Sequence, residues 1–495
     1  MTGALPAELA RWADKIRGYA EEVGLDFPEV RFHLLDWKGI NEVASYGGFP
    51  TRYPHWSFGM EYERMAKSYA YGLHRIYEMV INTDPCHAYL LASNNMVDQK
   101  LVMAHVYGHA DFFKNNLWFA HTNRHMLDEM ANHSTRIRRY IERYGFEAVE
   151  NLLDVGLSVD NLIDIHAPGI RRQPAPRPRN GEAEPPVVKR IPSKEYMDSF
   201  INPPEFLAEQ KKRLEASQQQ EQHFPVSPER DVMLFLMDHA PLETWECDIL
   251  DMLREEAYYF APQGQTKIMN EGWASYWHST LMTRRIVSAD EVIDYADHHS
   301  GTVAMHSGQL NPYKLGLELQ RDIEERWDKG RFGREYEECE DRTRRRSWDK
   351  QLGLGKQKIF EVRRICNDIG FIDQYLTEEF CETNKLFTYR WNPRTERYEI
   401  ASRDFAAIKR QLLQSLTNFG QPIICVENGN HANRGELYLR HQYEGADLKL
   451  DYARDTLANL FVLWKRPVHL ETEFEGKGRT LLTFDGQAHI QKRLD

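Results

Sequence analysis

Residues 168–192 read PGIRRQPAPRPRNGEAEPPVVKRIP, with seven prolines among charges of both signs. Proline removes a backbone donor and fixes φ. A segment this poor in apolar side chains cannot offset the entropy of ordering it. No core can be built there. The NPP and QQQEQ of 202–228 continue the texture, so about 168–228 reads as a linker or surface excursion. The folded mass must come from either side of it, and 495 residues leave room for two or three domains.

Before that stretch the pattern is helical. Leu9, Trp12, Ile16 and Tyr19 fall on one stripe, and Tyr62, Met65, Tyr69, Leu73, Ile76 and Val80 on another. YEMVINTDPCHAYLL (77–91) breaks the period, and its apolar runs on either side of Thr83-Asp84-Pro85 read as a hairpin. Helical pattern resumes near Asp231 and runs to about 380, with EYEECEDRTRRR (335–346) as a solvated helix face. Beyond 383, LFTYRW, RYEIAS, IICVEN, ELYLRHQYE, VHLETEFE and TLLTFDG read as strands. FAAIKRQLLQSLTNFG and YARDTLANLFVLW read as helices among them. The expected class is α+β, mainly helical over 1–380, with a small α+β domain over 383–495.

A net charge of −12 argues against a generic nucleic-acid binder. No run of eighteen apolar residues occurs, which argues against a membrane span. The opening residues carry no apolar h-region, and the six cysteines form no C-x-x-C pair. Together these lead to the expectation of a cytoplasmic protein with reduced thiols.

The chemistry concentrates in two segments. In HVYGHADFFKNN, His105 and His109 share a helical face with Leu101 and Phe112, so two imidazoles can meet one metal. Asp111 is the nearby carboxylate expected to orient one of them. Downstream, His125, Glu129 and His133 line up at i, i+4, i+8, and His121 precedes His125 by four. That stripe reads as a polar helix face, with a second metal site as the alternative. The second segment is WECDILDMLREEAYYFAPQGQTKIMNEGWASYWHS (245–279). Glu256 falls on the apolar stripe of Trp245, Ile249, Leu253 and Phe260, where a carboxylate must be paired, protonated or metal-bound. Pro262 is expected to end that helix, with Gly264 in the turn and Asn270-Glu271 opening the next. Glu271, Ser275 and His278 then share a face, and Glu271 can be either a third ligand or a first-turn glutamate answering the helix dipole. A di-iron carboxylate site needs paired E-x-x-H motifs, and the chain has none.

HVYGHADFFKNN and TKIMNEGWASYWHS, with ETWECDILDMLREEAYYFAPQ between them, resemble the signatures of the stage V sporulation protein R (SpoVR) family, over nearly the whole chain. The resemblance implies functional positions at His105, His109, Glu271 and the NEGWASYWH helix. It implies a link to spore cortex, which is peptidoglycan, or to stationary-phase stress. It also implies a PrkA-type serine kinase and a von Willebrand-type protein as partners. The pattern is similar to gluzincin metallopeptidases, in which N-E-x-x-A/S follows H-E-x-x-H.

One departure matters. Val106 stands where that motif carries its glutamate, and valine cannot take a proton from water. The expected function is a metal-dependent amide hydrolase with zinc, or iron, on His105, His109 and Glu271. Glu256 or Glu255 would be the base, and His278 or Tyr107 would stabilise an oxyanion. The alternative is a non-catalytic regulatory or scaffold partner of the kinase, which Val106 favours.

Overall fold

The computed structural model describes residues 5–71, 76–170, 203, 207–210, 224–304, 310–476 and 478–494. Most of the stretch expected to be a linker, and Leu73 of the second stripe, lie outside the described residues.

In chain order the main elements begin with α1 (Ala7–Glu22), β1 (Val30–Leu35), α2 (Trp37–Ser45), α3 (Trp56–Ala70), β2 (Glu78–Ile81) and β3 (Cys86–Leu91). Helices α4 (Met96–Asn115), α5 (Met126–Tyr144), α6 (Phe146–Leu157), α7 (Val232–His239), α8 (Thr244–Gln265) and α9 (Lys267–Leu281) follow. Then come α10 (Val292–Thr302), α11 (Pro312–Asp328), α12 (Gly355–Ile365), α13 (Asp368–Tyr375), β4 (Thr388–Asn392), β5 (Arg397–Ser402) and α14 (Phe405–Leu416). The chain closes with β6 (Ile424–His431), β7 (Glu436–His441), α15 (Leu450–Trp464), β8 (Val468–Phe474), β9 (Gly478–Phe484) and β10 (His489–Arg493).

Two compact units result: Met1–Glu150 with Glu255–Gln421, and Asn151–Arg254 with Pro422–Asp495. The change of texture at 383 is therefore not where the contacts divide. Ile408 of α14 is buried in the same core as α4 and α9, with Leu412 and Leu413 against it, so that helix stays with the first unit.

The first unit is built on α4. Every residue from Val97 to Phe113 is buried, the mark of a helix enclosed on all sides. Its charged groups are accordingly paired: Asp98 with His298 at 2.6 Å and Lys100 with Glu291 at 2.6 Å. α9 packs on it where Gly108 meets Ala274; a Cβ on Gly108 would lie 2.7 Å from the Ala274 Cα. On its other side α9 meets α11 through Gly272 and Gly316, where a Cβ on Gly272 would lie 2.4 Å from the Gly316 backbone. A small sheet ordered β1-β3-β2 completes the wall, with β1 parallel to β3 and β2 antiparallel to it. The hairpin expected at 77–91 is the β2–β3 pair. β1 lies in a region read as helical, although its VRFHL alternates apolar and polar residues with the period of a strand.

Several local expectations need correction. α3 stops at Ala70 and buries no residue fully, and Val80 belongs to β2, so the stripe from Tyr62 to Val80 is not one helix face. α5 begins at Met126, leaving His121 and His125 exposed outside it. Pro262 does not end its helix: α8 continues to Gln265, and Gly264 is helical, pressed against the Phe419 ring. α9 opens at Lys267, three residues before Asn270. The Asp368 carboxylate accepts from the backbone N–H of Ile268 at 2.8 Å and of Met269 at 2.9 Å, and so caps that helix. Glu271 is thus not the residue that answers the dipole.

The second unit holds a five-stranded sheet ordered β10-β9-β8-β7-β6. Its parallel pair, β7–β8, is joined through α15, whose Leu457, Leu460 and Leu463 are buried. Phe235 of α7 stacks on Trp464 with ring centroids 5.7 Å apart. β10 had no sequence expectation; all five of its residues are exposed.

Candidate metal centre

His105 and His109 stand one turn apart on α4, and Glu271 faces them from α9. The close approach at Gly108–Ala274 makes this meeting possible. Glu271 Oε2 lies 3.5 Å from His105 Nε2 and 3.4 Å from His109 Nε2. These separations exceed a hydrogen bond. They match the ligand–ligand edge of a tetrahedral zinc site, about 3.4 Å for bonds of about 2.1 Å. Glu271 Oε2 is buried and has no hydrogen-bond partner.

The far side of the His109 ring fixes which of its nitrogens carries hydrogen. His109 Nδ1 lies 2.9 Å from Asn270 Oδ1, which can only accept, so Nδ1 carries hydrogen. In the neutral ring Nε2 then points a lone pair at Glu271. His105 Nδ1 lies 2.8 Å from His278 Nδ1, and His278 Nε2 lies 3.1 Å from His299 Nδ1. With Nδ1–H of His105 donating, its Nε2 lone pair also faces Glu271. In that arrangement three lone pairs converge on one buried point and call for a cation or a proton. Burial pushes the His105 imidazole down to about 4, and burial with the neighbouring histidines holds His278 well below its ordinary value. Burial opposes charge on His109 too, but the Glu271 carboxylate raises it. Burial likewise opposes charge on Glu271, yet His109 and His105 hold it well below the usual carboxylate range. The residues fit a divalent ion, and a single proton on His109 substitutes for one without satisfying His105.

A cavity of about 380 Å³ opens on His105 and His278. Glu78, Tyr77, His298 and Tyr313 share its wall. Burial pushes the Glu78 carboxyl up to about 7, a value a nearby dication would lower. The Tyr313 ring stacks over His105 with centroids 6.1 Å apart, and the Glu271 carboxylate lies close enough to raise its phenol, after burial. Neither Glu78 nor Tyr313 was singled out in the sequence. The available signal was a lone carboxylate in the otherwise apolar strand EMVI.

Other candidates lie elsewhere. Tyr107 donates to the Ala13 carbonyl at 3.2 Å and packs against Phe27 and Phe32, away from the two histidines. Asp111 accepts from Asp26 N–H and Trp273 Nε1–H, both at 2.8 Å, so it orients neither imidazole; His278 and Asn270 do. Glu256 is paired, as a buried carboxylate must be, with Arg52 Nη2 at 2.6 Å and His133 Nδ1 at 3.0 Å. Glu255 faces His133 Nε2 at 3.3 Å and Asn123. Neither glutamate has a polar contact with His105, His109 or Glu271 among the described residues. Val106 is fully buried in the apolar core.

Comparison with known proteins identifies the family of the chain. The family model described as SpoVR like protein matches residues 4–421, and that of the SpoVR-like C-terminal domain matches residues 422–475. That junction coincides with the one between the compact units at Gln421 and Pro422. The protein named Uncharacterized protein YcgB of Escherichia coli (strain K12) is 29% identical over 488 residues, covering 92% of this chain and 90% of that one. No solved structure matches. With family models spanning both segments that carry the His and Glu donors, the chain belongs to the SpoVR family.

Proposed function

We propose that the protein is a metal-dependent hydrolase acting on an amide bond, with one divalent ion held by His105, His109 and Glu271. The observation that carries this reading is the triangle of two imidazole Nε2 atoms and an unpartnered buried carboxylate oxygen, with 3.4 and 3.5 Å edges. Zinc suits the donor set, and iron shares it. A divalent ion there supplies Lewis acidity to a carbonyl oxygen or to water.

The protein's own groups do the rest. Val106 can move no proton, and Glu255 and Glu256 are engaged elsewhere. Glu78, on the cavity wall, is the base that takes a proton from water and returns it to the leaving nitrogen. Tyr313 stands as a donor to the oxygen on which charge develops. His278 orients His105 through the 2.8 Å contact. The family's link to cortex suggests a peptide of cell-wall type, met in the cytoplasm as a precursor. The second reading, a regulatory partner of a PrkA-type kinase and a von Willebrand-type protein, draws its support from Val106 alone.

The test is metal content by plasma mass spectrometry on tag-free protein, beside the His105→Ala/His109→Ala variant. One zinc or iron per chain should be lost in the variant. Fluorogenic peptide amides, including stem-peptide analogues, are then screened with wild type and Glu78→Gln. Turnover should fall by about 10²–10⁴-fold in Glu78→Gln with the ion retained. An equal ion count in wild type and the double variant, after reconstitution, would overturn the metal reading. An ion without turnover of any amide would favour the regulatory one.

A further inference from the structure

A second group of donors sits on α5 and α8 and shares no residue with the first. Its centre is His133, which is wholly buried. His133 Nδ1 lies 3.0 Å from Glu256 Oε1, and Glu256 is itself held by Arg52 Nη2 at 2.6 Å. The carboxylate can only accept, so Nδ1 carries hydrogen. In the neutral ring the lone pair is then on Nε2, which is buried and has no hydrogen-bond partner. That lone pair faces two more carboxylates. Glu255 Oε2 lies 3.3 Å from it, and ligand atoms of Glu129, His133 and Glu255 all lie within 4.8 Å of one another.

This is the arrangement of a ligating histidine, one nitrogen fixed by a buried carboxylate and the other presented outward. We propose that Glu129, His133 and Glu255 form a second divalent-cation site. Glu256 serves there as the positioning residue for His133. One imidazole and two carboxylates are a harder donor set than that of the first cluster, suited to Mn²⁺ or Zn²⁺. Glu129 is half-buried and Glu255 exposed, so water completes the coordination. The remaining contacts of the two carboxylates are weak or peripheral: Asn132 Nδ2 to Glu129 at 3.5 Å and Asn123 Nδ2 to Glu255 at 3.2 Å. Asn123 and Glu255 would link the turn before α5 to α8 at the site's edge. The alternative occupant of the gap is a proton, making His133 an imidazolium paired with Glu255.

The experiment is cation uptake by full-length, chelator-stripped protein, titrated with Zn²⁺ or Mn²⁺ and counted by plasma mass spectrometry after desalting. Wild type is compared with Glu129→Gln/Glu255→Gln, whose isosteric changes at a half-buried and an exposed position spare the fold, and with His105→Ala/His109→Ala. Circular dichroism checks that each is folded. Two ions are expected in wild type and one in each variant. Equal uptake by wild type and Glu129→Gln/Glu255→Gln would overturn the second site, whatever the first cluster binds. Loss in that variant alone would sustain the second site and sink the first.

Discussion

The two clusters are built from the same parts and differ in their surroundings. In each, an imidazole Nε2 faces a glutamate oxygen at 3.3–3.5 Å, and the other ring nitrogen is held by a buried partner. In each, helix spacing of i, i+4 supplies two of the donors. The first lies between two helices buried along nearly their whole length, with two imidazoles and one carboxylate, and opens on a cavity of about 380 Å³. The second has one imidazole and two carboxylates, one of them exposed. The first therefore suits chemistry on an enclosed substrate, where low dielectric strengthens every charge. The second suits a cation that ties elements together.

The largest effect expected to separate them comes from Glu256→Gln. It leaves the buried Arg52 charge without its partner, so urea unfolding should show a loss of about 3–5 kcal/mol. The second site should also weaken by about 10–100-fold in affinity, while the first keeps its ion. A Glu256→Gln protein whose second site keeps its wild-type affinity would remove the positioning role assigned to that residue.

Next in size is a pH effect confined to the first cluster. Burial holds His105 at about 4 in the folded, ion-free protein, against the ordinary 6.5 of an unfolded chain. The unfolded state binds more protons between those values, so stability falls as pH drops through that window. The loss from this group is about 3 kcal/mol. Chemical denaturation at a series of pH values should show this acid limb in wild type and in Glu129→Gln/Glu255→Gln. It should shrink in His105→Ala/His109→Ala, and an unchanged limb there would assign it to other groups.

The smallest is Gly272→Ala. The added methyl would meet Gly316 backbone at 2.4 Å, forcing α9 and α11 apart at a cost of about 1–3 kcal/mol. Because Glu271 precedes it on the same helix, ion affinity should drop at the first cluster and not at the second. Isothermal titration of both sites would expose the opposite result.

How much of this could be read beforehand depends on the kind of interaction. The H-x-x-x-H face of His105 and His109 is local, set by 3.6 residues per turn, and it survives in the fold as expected. So does the need of Glu256 for a partner, since a carboxylate on an apolar stripe cannot stay alone. The identity of that partner, Arg52, is separated by 204 positions and follows from no local rule. The same holds for Glu78, which a three-stranded sheet delivers to the cavity wall. Capping by Asp368 of a helix a hundred residues earlier moved the start of α9 and placed Glu271 beyond its first turn.

By itself, then, the sequence determined which side chains are one turn apart, where no core can form, and that an acid on a buried stripe needs a counter-charge. These depend on backbone geometry and on the cost of burial, which act within a few residues. Only the tertiary structure decided which donors meet. Glycine contacts at Gly108, Gly272 and Gly316 set how closely the helices approach, and that spacing fixes a 3.4 Å contact between groups 162 positions apart. Distances of that kind follow from packing across the whole core, which no window of neighbouring residues contains.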